Sequence, residues 1–171
     1  MAKKKVMILS VSAGSGHLRA AEALEEACRK DDRVEEVRHI DALAFTNKVF
    51  QEIYSKGYIE AVKKAPELWA IAFDETDVPW HRTKALSVMQ RLNAQPLVNE
   101  LKRFEPDICL CTHFMPADII SRLIQADKLH TNVGVVVTDY YVHATWLCDI
   151  FTRYFVGKQE ARCFSRPSDC P

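Results

Sequence analysis

The chain has 171 residues, of which 48% are hydrophobic and 27% charged, with Lys+Arg and Asp+Glu both totalling 23. That is enough chain to bury one core, and the composition excludes a disordered or fibrous protein. A formal net charge of zero gives no basis for bulk nucleic-acid binding.

In chain order, "MAKKKVMILSVSAGSG" opens like a secretory signal, with basic residues before apolar ones. The apolar run Val6 to Leu9 is too short for that and glycines follow at once, so it reads as a buried first strand. Leu18 to Arg29 reads as a helix, with Leu18, Ala21, Leu24 and Ala27/Cys28 at helical spacing, and Asp31-Asp32 breaks it. Val34 to Ile40 alternates polar and apolar residues and forms a second strand ending at Asp41, which makes a βαβ opening. Residues 46–104 are mostly helical, with one helix from Phe50 to Val62 and further helices over Thr83–Asn93 and Leu97–Phe104. Asp107–Cys111 is a third strand, Pro116–Ala126 a helix with proline near its first turn, Val133–Val137 a fourth strand and Arg153–Val156 a fifth. The pattern predicts a Rossmann-like parallel α/β sheet flanked by helices. No stretch approaches the ~20 apolar residues of a membrane span.

The six cysteines are dispersed, without the spacing of a disulfide framework, and read as reduced thiols of a cytosolic protein. Cys109, Cys111 and His113 share one strand face at i, i+2, i+4, but no second cluster complements them, so no metal site is expected. No cofactor is expected.

The chemistry concentrates where strands end. Ala13-Gly14-Ser15-Gly16 joins the first strand to the first helix, a place where unpaired amides attract anions and glycines admit a ligand. It is no P-loop, because no Gly-Lys-Ser/Thr follows. It is a poor dinucleotide fingerprint, because Arg19 stands where a third glycine belongs, although Asp41 is placed where a ribose-binding acid would be. A nicotinamide site and a plain tight turn both stay open. His17, His113 and His143 each follow a predicted parallel strand, where open sheets bind ligands, so they can face one crevice and serve as acids or bases. Capping of helices and loops is the other use for such histidines. Asp139 leaves the fourth strand and could orient or polarise one of them. His39, His81 and His130 have no such placement and read as surface residues.

Residues 46–104 combine Tyr54, Tyr58, Trp69 and Trp80 with nine Lys/Arg against seven Asp/Glu. Aromatics beside basic residues suit a membrane interface, with a weak electrostatic pull; packing between helices accounts for them equally.

Three motifs, "SVSAGSGHLRAAEAL", "PDICLCTHFMPADIIS" and "VGVVVTDYYVHATW", together resemble the amino-terminal domain of monogalactosyldiacylglycerol synthases and bacterial processive diacylglycerol glucosyltransferases. These are GT-B glycosyltransferases, akin to the peptidoglycan enzyme that adds N-acetylglucosamine to lipid I. The resemblance implies an acceptor-binding domain over 1–162, with a helical insert at about 46–104, that docks peripherally on the inner face of the membrane. It implies a diacylglycerol-type acceptor and a UDP-sugar donor bound mostly by a second domain, with inverting hexose transfer in the cleft and no obligatory metal. His17 matches the family's catalytic or acceptor-positioning histidine, and Asp139 joins it as the catalytic carboxylate. Gly14, Ser15 and Gly16 match the glycine loop, Thr112, His113 and Pro116 the "TH-x-x-P" segment, and His143 and Trp146, with Asp139, the "TD-x-x-x-H-x-x-W" segment. After Arg162 the pattern gives way to "CFSRPSDCP", an aberrant or truncated tail over 163–171. The expectation is a chain without the donor domain and inactive alone. An NAD(P)-binding oxidoreductase domain and a non-catalytic membrane- or partner-binding module are the alternatives.

Overall fold

The computed structural model describes residues 2–12, 14–46, 48, 51, 94–140 and 142–158. Eight regular elements follow in order: β1 (Lys4–Ser10), α1 (Ser15–Arg29), β2 (Val34–Asp41), α2 (Gln95–Phe104), β3 (Ile108–Cys111), α3 (Phe114–Gln125), β4 (Asn132–Val136) and β5 (Arg153–Phe155). Short 3₁₀ turns span Ala42–Phe45 and Ala144–Trp146. The helices expected from Phe50 and over Thr83–Asn93, His81 and the tail from 163 lie outside the described residues.

The strands form one sheet in the order β2-β1-β3-β4-β5, and every pairing is parallel. The sheet is thus the expected Rossmann-like arrangement. Because side chains alternate along a strand, β1 serves two cores. Val6 and Ile8 pack with Ala21, Leu24 and Cys28 of α1 on one face. Met7 and Leu9 pack with Leu97, Leu101 and Phe104 of α2 and with Met115 and Ile120 of α3 on the other. Helices on opposite faces put the reversal of connection between β1 and β3. In open sheets of this kind that point leaves a crevice beyond the strand ends.

The periodicities explain the elements. Leu97, Leu101 and Phe104 recur at helical spacing and are all buried. On α1, Ala21 is buried and Cys28 packs inward while Ala27 is exposed, so Cys28 rather than Ala27 continues the apolar stripe. The solvent side of α1 carries i,i+4 pairs, Arg29 to Glu25 at 2.5 Å and Lys30 to Glu26 at 2.6 Å, each contributing only about 0.3–0.5 kcal/mol. Gly134 in β4 is a site of close approach: a Cβ there would stand 2.8 Å from Leu110 Cδ2 and 3.3 Å from Phe155 Cε2. The missing side chain lets those two residues close over the strand.

Cys109 and Cys111 point into the core and are fully buried. Burial pushes the Cys109 thiol up to about 12, and the Cys111 thiol well up from its ordinary value. Among the described residues, no group of His, Cys, Asp and Glu could hold a metal ion. Among the same residues, no helix is long and apolar enough to cross a membrane.

Candidate active site

β1, β3 and β4 end side by side, and what leaves them meets above the β1/β3 boundary. α1 starts at Ser15, directly after Gly14, which has φ 172° and ψ 149° and no side chain to cap the helix. That backbone is extended, so the glycine is not demanded by its torsion angles. A Cβ on Gly14 would rest in ordinary contact with the ring, 3.6 Å from Cδ2 and 4.0 Å from Nε2 of His17. Glycine puts no side-chain atom on that edge of the imidazole. Gly14, Ser15 and Gly16 are exposed, and His17 behind them is half-buried in the first turn of α1. The amides of that turn have no partner within the helix and carry the positive end of its dipole.

Thr112 holds His17 at two points. It is buried, and its N–H donates to Leu9 O at 3.0 Å, which docks the end of β3 on β1. Its hydroxyl donates to the His17 carbonyl oxygen at 2.9 Å, and its own carbonyl oxygen lies 2.8 Å from His17 Nδ1. A carbonyl oxygen only accepts, so Nδ1 carries the ring hydrogen. Thr138, at the exit of β4, brings its Oγ1 within 2.7 Å of the same nitrogen. The lone pair of the neutral ring is then on Nε2, which has no hydrogen bond among the described residues.

His113 and His143 have the opposite arrangement. His113 is the N-cap of α3, where its Nδ1 accepts from the Met115 N–H at 3.1 Å. His143 caps the turn Ala144–Trp146 in the same way, its Nδ1 accepting from the Thr145 N–H at 3.1 Å. Both rings are buried. These two histidines therefore cap local structure through Nδ1, which leaves the hydrogen of the neutral ring on Nε2. The His113 ring meets His17 edge to face, with centroids 4.6 Å apart. Burial above all, and then the neighbouring His17, push the His113 imidazole well below its ordinary value.

That has a consequence for stability. In the unfolded chain His113 takes up a proton near pH 6.5, whereas in the folded chain it stays neutral to well below that. Below about pH 6.5 the unfolded state binds more protons, so stability falls as the pH falls, by up to about 1.4 kcal/mol per pH unit for this group. His113→Asn keeps a capping oxygen and removes the titration. Its denaturant midpoint should drop less than that of the parent between about pH 7 and 5, and equal drops would show that His113 is not kept neutral.

Trp146 is 1% exposed and lies 6.2 Å, between ring centroids, from both His17 and His113. Its indole N–H donates to Asp139 Oδ2 at 2.6 Å. Asp139 is exposed on the same edge as His17, with its carboxylate on Trp146; the groups on His17 are Thr112 and Thr138. Pro116 is buried in the first turn of α3 and shapes the helix start. Thr138 was missed by sequence reasoning; a hydroxyl residue immediately before Asp139 at a strand exit was the available signal.

Two further residues find structural employment. Asp41 Oδ1 accepts from the N–H groups of Ser12 at 3.2 Å and Leu43 at 3.0 Å, fastening the end of β1 to the 3₁₀ turn. His39 is not a surface residue: its Nε2 is 2.8 Å from the buried Ser10 Oγ and its Nδ1 is 3.4 Å from Glu25. The strand alternation puts His39 under α1, which the residue type alone did not reveal. His130 is exposed, 3.6 Å from Asp127.

The family model described as monogalactosyldiacylglycerol (MGDG) synthase matches residues 17–166. The chain is also 24% identical over 165 residues to proteins named processive diacylglycerol beta-glucosyltransferase from Staphylococcus aureus strains JH9, Newman and JH1. Each match covers 93% of this chain and 39% of the relative, so the chain spans about two fifths of the length of these relatives. No solved structure matches the chain significantly.

Proposed function

The chain belongs to the monogalactosyldiacylglycerol synthase family, and on that premise we propose that it forms the acceptor side of a glycosyltransferase that moves a hexose from a UDP-sugar to diacylglycerol. The observation that carries this reading is the His17 ring, with Nδ1–H held by Thr112 O at 2.8 Å and Nε2 turned to the edge that Gly14 leaves open. A neutral imidazole held in one tautomer is a competent general base.

In the proposed reaction the acceptor hydroxyl gives its proton to His17 Nε2 as its oxygen bonds to the anomeric carbon. The bond from that carbon to the UDP oxygen breaks on the opposite side, with inversion. Amides around Gly14, Ser15 and Gly16 supply positive potential toward the leaving diphosphate. Thr112, His113, Pro116 and His143 shape the crevice wall, and Asp139 serves the reaction by holding Trp146 against the two histidines. No step requires a metal. The acceptor lies in a bilayer, so the protein works peripherally, at the inner face of the membrane.

Two measurements test this. The chain should sediment with vesicles containing diacylglycerol in preference to vesicles lacking it. A chimera in which the chain replaces the matching part of a Staphylococcus aureus relative should form glycosyl-diacylglycerol from UDP-glucose or UDP-galactose. A chimera that is folded but transfers neither sugar would sink the reading.

A further inference from the structure

We infer that Thr138 is a positioning residue for His17: its hydroxyl oxygen is the second acceptor for the Nδ1–H and keeps Nε2 toward the crevice. This rests on the reading of His17 as the base. The geometry is convergent. Thr112 O and Thr138 Oγ1 lie 2.8 Å and 2.7 Å from the same ring nitrogen, and they come from the ends of two neighbouring strands. If the ring turned over, a C–H would face both oxygens and both hydrogen bonds would be lost. The two acceptors therefore select one of the ring's two orientations, and the carbonyl, which cannot donate, selects the tautomer.

Both acceptors are neutral. In many histidine bases a carboxylate holds the far nitrogen; here the nearby carboxylate of Asp139 accepts from Trp146 at 2.6 Å instead. His17 is thus oriented by dipoles rather than by a full charge. As Nε2 takes the acceptor's proton, positive charge spreads over the ring and the Nδ1–H becomes a stronger donor. A hydroxyl oxygen already in place strengthens its bond at that moment without reorganising. Its contribution falls on the chemical step and not on acceptor binding.

The test has two arms. In 15N-histidine NMR of the chain, His17 should carry its hydrogen on Nδ1 at neutral pH with a lone pair on Nε2. Thr138→Val should move the Hδ1 resonance upfield, and Thr138→Ser should return it toward the parent position. A hydrogen on Nε2 in the parent, or an Hδ1 resonance unmoved by Thr138→Val, overturns the inference. In the chimera, Thr138→Val should lower kcat about threefold to tenfold, the factor one neutral hydrogen bond supplies, with the acceptor KM unchanged and kcat restored by Thr138→Ser. A change in KM alone, or a lowered Tm with kcat unchanged, makes Thr138 merely structural and overturns the inference. If the parent chimera transfers no hexose, the proposed function fails, and the NMR arm still decides whether Thr138 orients the ring.

Discussion

His17→Ala in the chimera should lower turnover at saturating acceptor by about a hundredfold or more, the usual scale for losing a positioned base. The expectation rests on Nε2, the nitrogen of His17 left with a lone pair, on the ring edge where Gly14 places no side chain. The paired control is His39→Ala. His39 bonds Ser10 beneath α1, so its loss leaves a buried hydroxyl short of a partner and should cost about 1–3 kcal/mol of stability. At a temperature where both variants are folded, His39→Ala should turn over at close to the parent rate. If His17→Ala raised the acceptor KM and left kcat intact, His17 would position the acceptor rather than take its proton. If both variants lost the same fraction of activity in proportion to lost stability, the assignment of His17 as base would be wrong.

Trp146→Ala should be among the most destabilising single changes in the chain, at about 3–5 kcal/mol, the range for truncating a large buried aromatic. The indole is almost wholly buried and touches Phe114 as well as the two histidines, with ring centroids 6.1 Å from Phe114. The backbone at the same residue also holds β5, since the Tyr154 hydroxyl donates to Trp146 O at 2.8 Å. Trp146→Phe separates packing from polarity. It keeps the larger part of the ring, leaves a small void where the pyrrole half stood, and loses the hydrogen bond to Asp139, a carboxylate exposed enough to find water. Its cost should be about 1–2 kcal/mol. Equilibrium urea unfolding of both variants measures the difference. Equal losses would mean that the bond to Asp139, and not the filled volume, keeps this corner together.

The sheet was legible in the sequence because β1, β3 and β4 are short apolar runs and β2 alternates polar and apolar residues, with charged residues, Pro106 or a glycine turn marking ends. Sequence and structure agree on β1 through β5 to within a few residues at the ends. The helix ends moved for physical reasons. α1 begins at Ser15 rather than Leu18, since the polar first turn carries no apolar period. α3 begins at Phe114 because the His113 side chain caps it, and imidazole is an uncommon cap. For the site, the sequence could say which residues follow strands but not which nitrogen of which ring is engaged. His17, His113 and His143 share that position in the sequence, with the weight toward function falling on His17. The structure separates them, with Nδ1 a donor in His17 and an acceptor in the other two. A hydroxyl residue before Asp139 marks Thr138 in the sequence, but its contact with His17, like that of the Thr112 carbonyl, depends on distances across adjacent strands. His39 was misjudged for a related reason: polar residues on a strand can face a helix that brings its own carboxylate.

The position of β1 between β2 and β3 bears on how the chain emerges from the ribosome. The βαβ opening can form early, since β1 and β2 are joined by α1 alone. The other edge of β1 must wait for β3: Ile8 pairs with Leu110, and Lys5 N–H bonds the side chain of Asp107 across 102 residues. At about 5–20 residues translated per second, that wait lasts roughly 5–20 s. For that interval the nascent protein carries a bare, mostly apolar strand edge, Val6-Met7-Ile8-Leu9, with His17 poised beside it and its Thr112 anchor not yet made. Holdase chaperones that recognise extended apolar segments would find a target there. Once β3 arrives, the same stroke that hides the edge delivers Thr112 to His17, and Thr138 joins them when β4 pairs with β3.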